Sequence, residues 1–440
     1  MIAMYLATSL LDILLLADWN TRVVVIGTSM LGVAAGVVGA FLVLRKRALL
    51  GDTVSHAMLP GVVGAFLVMQ AFGGGGKSFA GLLLGAAIAG VLAAWAIPVL
   101  RRATGLKDDA IMGVVLGGGF GLGIAMLGVA QAMPGGNQAG LESFIYGRTA
   151  SMVQDDAIGI GVTAVVTLLI AVLLAKEFRL LCFDESFGRA LGRKEGVLDL
   201  GLMVLAVTVT VVGLQAVGLI LVIALLIIPG AAARFWTDEF VRMVSLAGVI
   251  GAVACWLGAS ISAMAPDLPA GSIIVLTLSS LFGLSMLVGT RRGAVKRIIQ
   301  SRKLRRRTGW QHLMRAAAES LESQGTDTWT IEQLSPLRSW STSRLRALHR
   351  SAIRRGDIIS CEDGYALTES GRTAADRVVR NHRLWELFLI RHADIAASHV
   401  DRDADMVEHV LGDELVAELE TILAGSDVAL VSPHALGGQA

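Results

Sequence analysis

Residues 44–61 read L-R-K-R-A-L-L-G-D-T-V-S-H-A-M-L-P-G: a basic run, Arg45 to Arg47, and then Asp52 and His56, with apolar sequence on both sides. A basic cluster between two apolar stretches marks a turn at a membrane surface, and ionisable groups inside a membrane stretch are costly enough to need a reason. On a helix, Asp52, Ser55 and His56 stand at i, i+3 and i+4, so a carboxylate, a hydroxyl and an imidazole share one face. That is half a site for a divalent cation. A carboxylate with an imidazole suits Mn, Fe or Zn better than Ca, which takes oxygen shells. The other reading of the same pair is an interhelical hydrogen bond that only holds a bundle together.

The rest of the chain has the composition that such a turn needs. Of 440 residues, 54% are hydrophobic and 17% charged, with a mean hydropathy of +0.66, which excludes an ordinary soluble protein. The 51 glycines suit close helix packing in a bilayer, where small residues let backbones approach. Apolar stretches long enough to cross about 30 Å of hydrocarbon fall near 22–44, 52–70, 79–100, 110–130, 156–176, 240–263 and 271–290. The block 198–234 is too long for one helix and contains Gly213, Gly218, Pro229 and Gly230, so it reads as two spans meeting near Val217. About nine crossings result. Met1 to Leu16, short, apolar and interrupted by Asp12, reads as an interfacial segment rather than a cleaved leader.

Basic residues gather at Arg45–Arg47, Arg101–Lys107, Arg179–Lys194 and beyond Arg291, which the positive-inside rule puts in the cytoplasm. With an odd number of crossings, the N-terminal end is outside and the tail inside. The tail is electrically split: residues 294–355 carry 14 Lys/Arg against 4 Asp/Glu, and residues 357–440 carry 6 against 16. A basic linker, 292–307, is suited to anionic headgroups. Beyond it, soluble helices are expected at 310–323, 330–335, 341–354, 368–391, 403–411 and 413–424, with a ribbon at 357–367 turning on Asp363-Gly364. Two helices, a turn and a two-stranded wing make a winged helix-turn-helix. The fold expected is thus an all-α polytopic membrane protein with a cytoplasmic winged helix-turn-helix and a helical dimerisation domain.

Two other motifs need a decision. Ala71 to Ser78, A-F-G-G-G-G-K-S, satisfies a loose phosphate-loop pattern, but it joins two membrane spans instead of a strand and a soluble helix, so it carries no ATP. Cys182, Cys255 and Cys361 are widely spaced and suggest neither disulfides nor a zinc ribbon. The longest basic-side loop, K-E-F-R-L-L-C-F-D-E-S-F-G-R-A-L-G-R-K, is amphipathic; Leu180, Leu181, Phe183, Phe187 and Leu191 suit a groove on a partner, or else an interfacial helix linking two spans.

G-D-T-V-S-H-A-M-L-P-G (51–61), F-I-Y-G-R (144–148), F-D-E-S-F-G-R-A-L-G (183–192) and V-G-L-I-L-V-I-A-L-L-I-I-P-G-A-A-A-R (217–234) together resemble the membrane subunit of bacterial ABC importers for manganese, zinc or iron, over about 20–291. The resemblance implies a transmembrane permease domain (1–291) in the bacterial inner membrane, with no enzyme activity or tightly bound cofactor of its own. It also implies a second permease copy or paralogue, separate ATPase subunits docking on Asp184, Glu185, Ala190, Leu191 and Gly192, and an extracytoplasmic metal-binding protein. Asp52 and His56 then belong to the metal path.

The tail has its own resemblance. L-T-E-S-G-R-T-A-A-D-R-V-V-R-N-H-R-L-W-E-L-F-L (367–389) and D-A-D-M-V-E-H-V-L (403–411) are similar to the diphtheria-toxin-repressor type of metal-dependent regulator, over about 308–424. It implies a winged domain at 308–367, a metal-binding and dimerisation domain at 368–424, and ligands for regulatory Mn or Fe at His382, Glu386, Asp405, Glu408 and His409, ahead of an unstructured 425–440. One departure stands out: where that family supplies acidic or sulfur ligands from its first helix, this chain has His312 and Arg315, and a guanidinium cannot ligate a metal. Arg344, Arg346 and Arg350, together with His349, have the placement of a DNA-contacting helix. The chain therefore reads as a metal importer's permease with a metal-responsive regulatory tail. The alternatives are a membrane-tethered DNA-binding regulator and an ion-coupled secondary metal transporter.

Overall fold

In lipid a backbone can satisfy its polar groups only within a helix or a closed barrel, and runs of Ala, Leu, Val and Gly without alternation choose the helix. The computed structural model describes residues 18–72, 78–132, 149, 152–264, 268–338 and 340–392. The interfacial segment, the glycines of the phosphate-loop look-alike, the F-I-Y-G-R loop and everything after His392 lie outside these. The chain divides into two units, Met1–Arg297 and Ile298–Ala440.

The first unit is helical throughout its described residues. In chain order its helices are α1 (Trp19–Leu44), α2 (Leu50–Ala57), α3 (Leu59–Ala71), α4 (Phe79–Thr104), α5 (Asp108–Ala132), α6 (Gln154–Leu173), the short α7 (Ala175–Phe183) and α8 (Glu185–Ala190), α9 (Glu195–Val217), α10 (Leu219–Ala233), α11 (Phe240–Ser262) and α12 (Ala270–Val288). Among the described residues, eight helices are long and apolar enough to cross a membrane, with α2 and α3 counted as one. The 15-residue α10 is shorter. It follows α9 through Gly218, whose φ of +82° only glycine adopts at little cost, so the expected break near Val217 is a reversal at that residue.

Close approaches fix the helix directions. Gly32 lies against Gly251 and Gly36 against Ala247, so α1 and α11 are antiparallel; Gly61 meets Gly85 and Gly81 meets Met69, so α3 and α4 are too. Gly27 against Met152 and Ala157, with Gly161 against Met30, makes α6 parallel to α1. Gly213 beside Leu31 and Asp199 beside Arg45 make α9 antiparallel to α1, and Gly39 on Leu226 with Gly230 on Ala40 makes α10 parallel to it. Each traverse thus reverses the one before. Among the described residues, the eight spanning helices and the shorter α10 make nine traverses, so Trp19 and Val288 fall on opposite faces. The core centres on α1, where Ala34, Ala35, Val38, Ala40, Phe41 and Leu42 are buried.

In the second unit, helix α13 (Ala294–Gln324) begins before the division and extends through the basic segment. The expected linker is thus helical, because Lys, Arg, Gln and Leu are good helix formers and nothing before Gly309 breaks the run; Gly309 itself packs under Leu348. Then follow α14 (Ile331–Leu334), α15 (Thr342–Arg355), strands β1 (Ile358–Cys361) and β2 (Gly364–Leu367), and α16 (Glu369–His392). The strands pair antiparallel with Cys361 opposite Gly364, so the turn is Glu362-Asp363, one residue earlier than expected. Gly364, at φ +137°, is instead the first residue of β2, where a side chain would strike the Trp329 backbone. Leu313, Met314, Trp329, Leu334, Leu345, Ile358 and Leu367 form the core of this winged helix.

Candidate metal path and docking loop

Helix α2 is a separate eight-residue piece because Pro60 has no N–H to give to the His56 carbonyl, so the backbone ladder breaks between α2 and α3. Asp52 sits in its first turn, where the helix dipole favours a carboxylate, and His56 in its last. The His56 Nε2 is 3.3 Å from the Asp52 Oδ1, both side chains are about a third exposed, and the imidazole meets the Phe120 ring edge-on at 5.1 Å. Ser55 does not join them: its hydroxyl is buried and donates to the Gly51 carbonyl at 2.6 Å. A serine inside a helix takes that local acceptor when no outside partner competes. Leu226 lies against both Gly39 and Gly51, so the start of α2 is level with a point about one and a half turns before the end of α1. Beside the pair, from Ala57 onward, an apolar groove of about 750 Å³ is lined by Pro60, Gly64, Val115, Gly119 and Met126.

The turn from α1 into α2 is tight. Arg47 N–H donates to the Leu42 carbonyl at 2.9 Å, Leu50 N–H donates to the Arg47 carbonyl at 3.0 Å, and Lys46 takes φ +59°, the one positive φ at a non-glycine among the described residues. The two flanking arginines point inward. Arg45 pairs with Asp199 of α9 at 3.2 Å, with Glu185 of α8, and with the Leu181 carbonyl of α7 at 2.8 Å. Arg47 pairs with the other oxygen of Asp199 and with Asp108 of α5 at 2.8 Å. Arg45, Arg47 and Asp199 side chains are 6, 3 and 10% exposed. Burial works against the Arg45 charge, but the hydrogen bond that Arg45 donates to Glu185 and the charges of Asp199 and Glu185 outweigh it and hold its pKa above the ordinary value. Burial likewise opposes the Glu185 charge, and Arg45 overrides it, so the carboxyl titrates below its usual range. Removing one of the three buried members, Arg45, Arg47 or Asp199, strands the others, typically at about 3–5 kcal/mol. Sequence reading passed over this cluster, although an acid at Asp199 within an apolar span is the signal that could have found it.

The amphipathic loop is two helices, not one. Asp184 ends α7 and caps α8, its carboxylate accepting from the Phe187 N–H at 2.9 Å and the Ser186 hydroxyl at 2.8 Å; the Phe187 hydrogen bond chiefly holds its pKa below the usual carboxylate value. Leu181 packs into the bundle with Phe178, so it is not groove-facing. Phe183, Phe187 and Leu191 are 62, 54 and 58% exposed, next to exposed Ala190 and Gly192. This is an apolar face on a basic-side loop.

The model of the "ABC 3 transport family" matches residues 18–289. The chain belongs to the ABC 3 transport family. It is a multi-pass membrane protein of that family, and the model of the "iron dependent repressor, metal binding and dimerisation domain" matches residues 368–434 behind it. Among its relatives, the manganese transport system membrane protein MntC of Bacillus subtilis is 36% identical over 386 residues, covering 87% of each chain, and so reaches into the second unit. The zinc transport system membrane protein TroC of Treponema pallidum is 39% identical over 66% of this chain and 96% of its own. A chain of PsaBC from Streptococcus pneumoniae, solved in complex with a Fab, superposes with a TM-score of 0.55 at 29% identity over 67% of this chain and 99% of its own. This ABC 3 family member therefore joins the fold of its permease relatives to a repressor-type tail.

In the tail of the family member, His382 is buried, and its Nδ1 lies 3.0 Å from the Arg315 Nη1, while Arg315 Nε donates to Glu319 at 2.6 Å. The guanidinium thus engages one of the two imidazole nitrogens. The Glu386 side chain and all of Asp405, Glu408 and His409 lie outside the described residues; among those described, no three His, Cys, Asp or Glu residues cluster as metal ligands. Arg344, Arg346 and Arg350 are exposed on α15. His349 is not with them. It is 1% exposed, its Nε2 accepts from the Trp329 indole at 3.0 Å, and its Nδ1 donates to the Leu345 carbonyl at 2.9 Å, which fixes a neutral tautomer inside the winged-helix core.

Proposed function

We propose that the chain is the permease subunit of an ATP-driven importer of a divalent transition metal, Mn, Zn or Fe, working in the bacterial cytoplasmic membrane with its tail in the cytoplasm. The observation that carries this is the Asp52–His56 pair, a carboxylate and an imidazole 3.3 Å apart in a broken helix of a membrane-spanning segment. The manganese and zinc transport relatives support the cargo class. Two donors from one chain leave a cation short of its ligands, so water, the delivering protein or a second permease copy completes the shell. ATP hydrolysis belongs to a partner subunit that seats its groove on Phe183, Phe187 and Leu191, framed by Asp184, Glu185, Ala190 and Gly192. An extracytoplasmic metal-binding protein hands over the ion. Residues 1–291 carry transport; residues 308–424 sense internal metal and restrain it.

The test is uptake of radiolabelled Mn, Zn and Fe by cells carrying this chain with its ATPase and binding protein. Wild type accumulates one of the metals only when the ATPase is present. Asp52→Ala and His56→Ala each lower uptake at least about a hundredfold, the scale of a lost metal ligand's neighbourhood, while the ATPase still co-purifies. Normal uptake by Asp52→Ala would sink the metal-path assignment; uptake indifferent to the ATPase would favour the ion-coupled carrier. Exposed Arg344, Arg346 and Arg350 keep DNA binding as a second reading for the tail, checked by salt-sensitive footprinting with the full chain.

A further inference from the structure

The docking helix and the metal pair are on different helices, α8 and α2, yet one buried cluster touches both. We propose that the Arg45–Asp199–Arg47 clamp is the joint through which movement of α8 reaches Asp52 and His56, with Arg45 and Arg47 as positioning residues for transport. The proposal rests on the function proposed above for these two sites.

Three observations carry it. First, α8 is largely exposed, burying only Gly188, and its charged tie to the bundle interior is Glu185 on Arg45. Its remaining ion pair, Arg189 to Glu195, is a surface contact at 3.8 Å. The neighbouring α7 needs no such tie, because Phe178 and Leu181 anchor it in the core. An ion pair whose purpose was only to hold the loop down would be redundant there. Second, Asp199 gives one carboxylate oxygen to each arginine, Oδ1 to Arg45 and Oδ2 to Arg47, at the foot of α9. At 3–10% exposure these charges cannot trade partners for water, so the turn and α9 move as one piece. Third, the turn cannot absorb a displacement. Lys46 is held in the left-handed region between two backbone hydrogen bonds, Lys46 N–H to the Val43 carbonyl and Arg47 N–H to the Leu42 carbonyl. The Arg47 carbonyl then accepts from Leu50, the first residue of α2, two residues before Asp52. A pull on Glu185 is therefore delivered to the start of α2. That short helix is already uncoupled from α3 at Pro60, so it can tilt and change the reach of Asp52 and His56.

The experiment reconstitutes the full chain with its ATPase and binding protein in vesicles and reads metal accumulated and ATP hydrolysed on the same sample. Arg45→Gln is expected to lower the metal moved per ATP about tenfold while the ATPase subunit still co-purifies, and the control Arg292→Gln, which loses only an exposed pair with Asp238, keeps the wild-type ratio. Arg45→Lys guards against misfolding: it keeps a charge for Asp199 but its single ammonium cannot also span Glu185 and the Leu181 carbonyl, and the ratio is expected to fall about threefold. If either variant loses transport and hydrolysis in proportion, or keeps the wild-type ratio, the clamp is a staple and the proposal is overturned. A wild type whose uptake ignores ATP overturns the functional reading, and the coupling with it.

Discussion

His349 shows how much a single side chain's environment decides. Its place in a row of basic residues on α15 suggests a DNA-facing group, but the helix turns it inward against Trp329 and Tyr365, with ring centroids 4.4 Å apart in the second case. Burial pushes its pKa below the ordinary 6.5, and the Leu345 carbonyl only partly opposes this. The unfolded chain therefore takes up a proton that the folded one refuses, and stability is full above about pH 6.5 and declines as pH falls through that value toward the depressed folded pKa. Tryptophan-monitored melting of the full chain between about pH 8 and about pH 5 should show the winged-helix transition moving down with acid. In His349→Gln that acid sensitivity should flatten; an unchanged slope would mean that another group titrates. Cys182 is a simpler case. Burial raises its thiol pKa to about 12, which leaves it inert beside the Asp184 cap.

At the scale of elements, the bundle is held by small residues at helix contacts, since lipid supplies no hydrophobic drive between helices. Helix α1 carries Gly32, Gly36 and Gly39 along the strip that meets α11 and α10, and a methyl group on Gly39 would run into the Leu226 carbonyl. Gly39→Ala should cost about 1–3 kcal/mol, the usual scale of overpacking, seen as a lower melting temperature in detergent. Gly121→Ala, with nothing near its Cβ, should be neutral or slightly stabilising. Equal melting of the two would refute the packing assigned to α1. The same scale shows where periodicity is informative and where it is not. The spans, the Val217 break and the winged helix could be placed from apolar runs and breakers. The splitting of the amphipathic loop at Asp184 could not, because a cap competes with helix continuation through one hydrogen bond that hydrophobic pattern does not record.

For the whole molecule, the distinctive feature is a repressor-type tail behind a permease. Arg315 against His382 weakens the case for a metal shell like that of the soluble regulators, since one imidazole nitrogen is already engaged. The chain's own arithmetic still favours regulation: a basic segment directly after the last span, then a winged helix, then an acidic region matched by a metal-binding and dimerisation family. Removing residues 308–440 is expected to leave ATP-dependent uptake within about twofold of the full chain at low internal metal. It should abolish a feedback inhibition of at least about fivefold at high internal metal, the lower end of ordinary allosteric coupling. Identical feedback with and without the tail would leave it no part in restraining transport.

The sequence by itself determined the membrane bundle, the order of its helices and the winged helix, and it singled out Asp52 and His56, because each rests on local properties: hydropathy, helical spacing, glycine and proline breaks, and charge where charge is costly. Only the tertiary structure decided which of these residues meet. Ser55 shares a face with His56 by spacing, yet it bonds its own backbone; His349 and Leu181 turn inward; and Arg45, Arg47, Asp108, Glu185 and Asp199, scattered over 155 positions of chain, close into one ion-pair cluster around the buried Arg45, Arg47 and Asp199. Such long-range pairing depends on how helices stack, and stacking is set by the sum of many small-residue contacts that no single stretch of sequence contains.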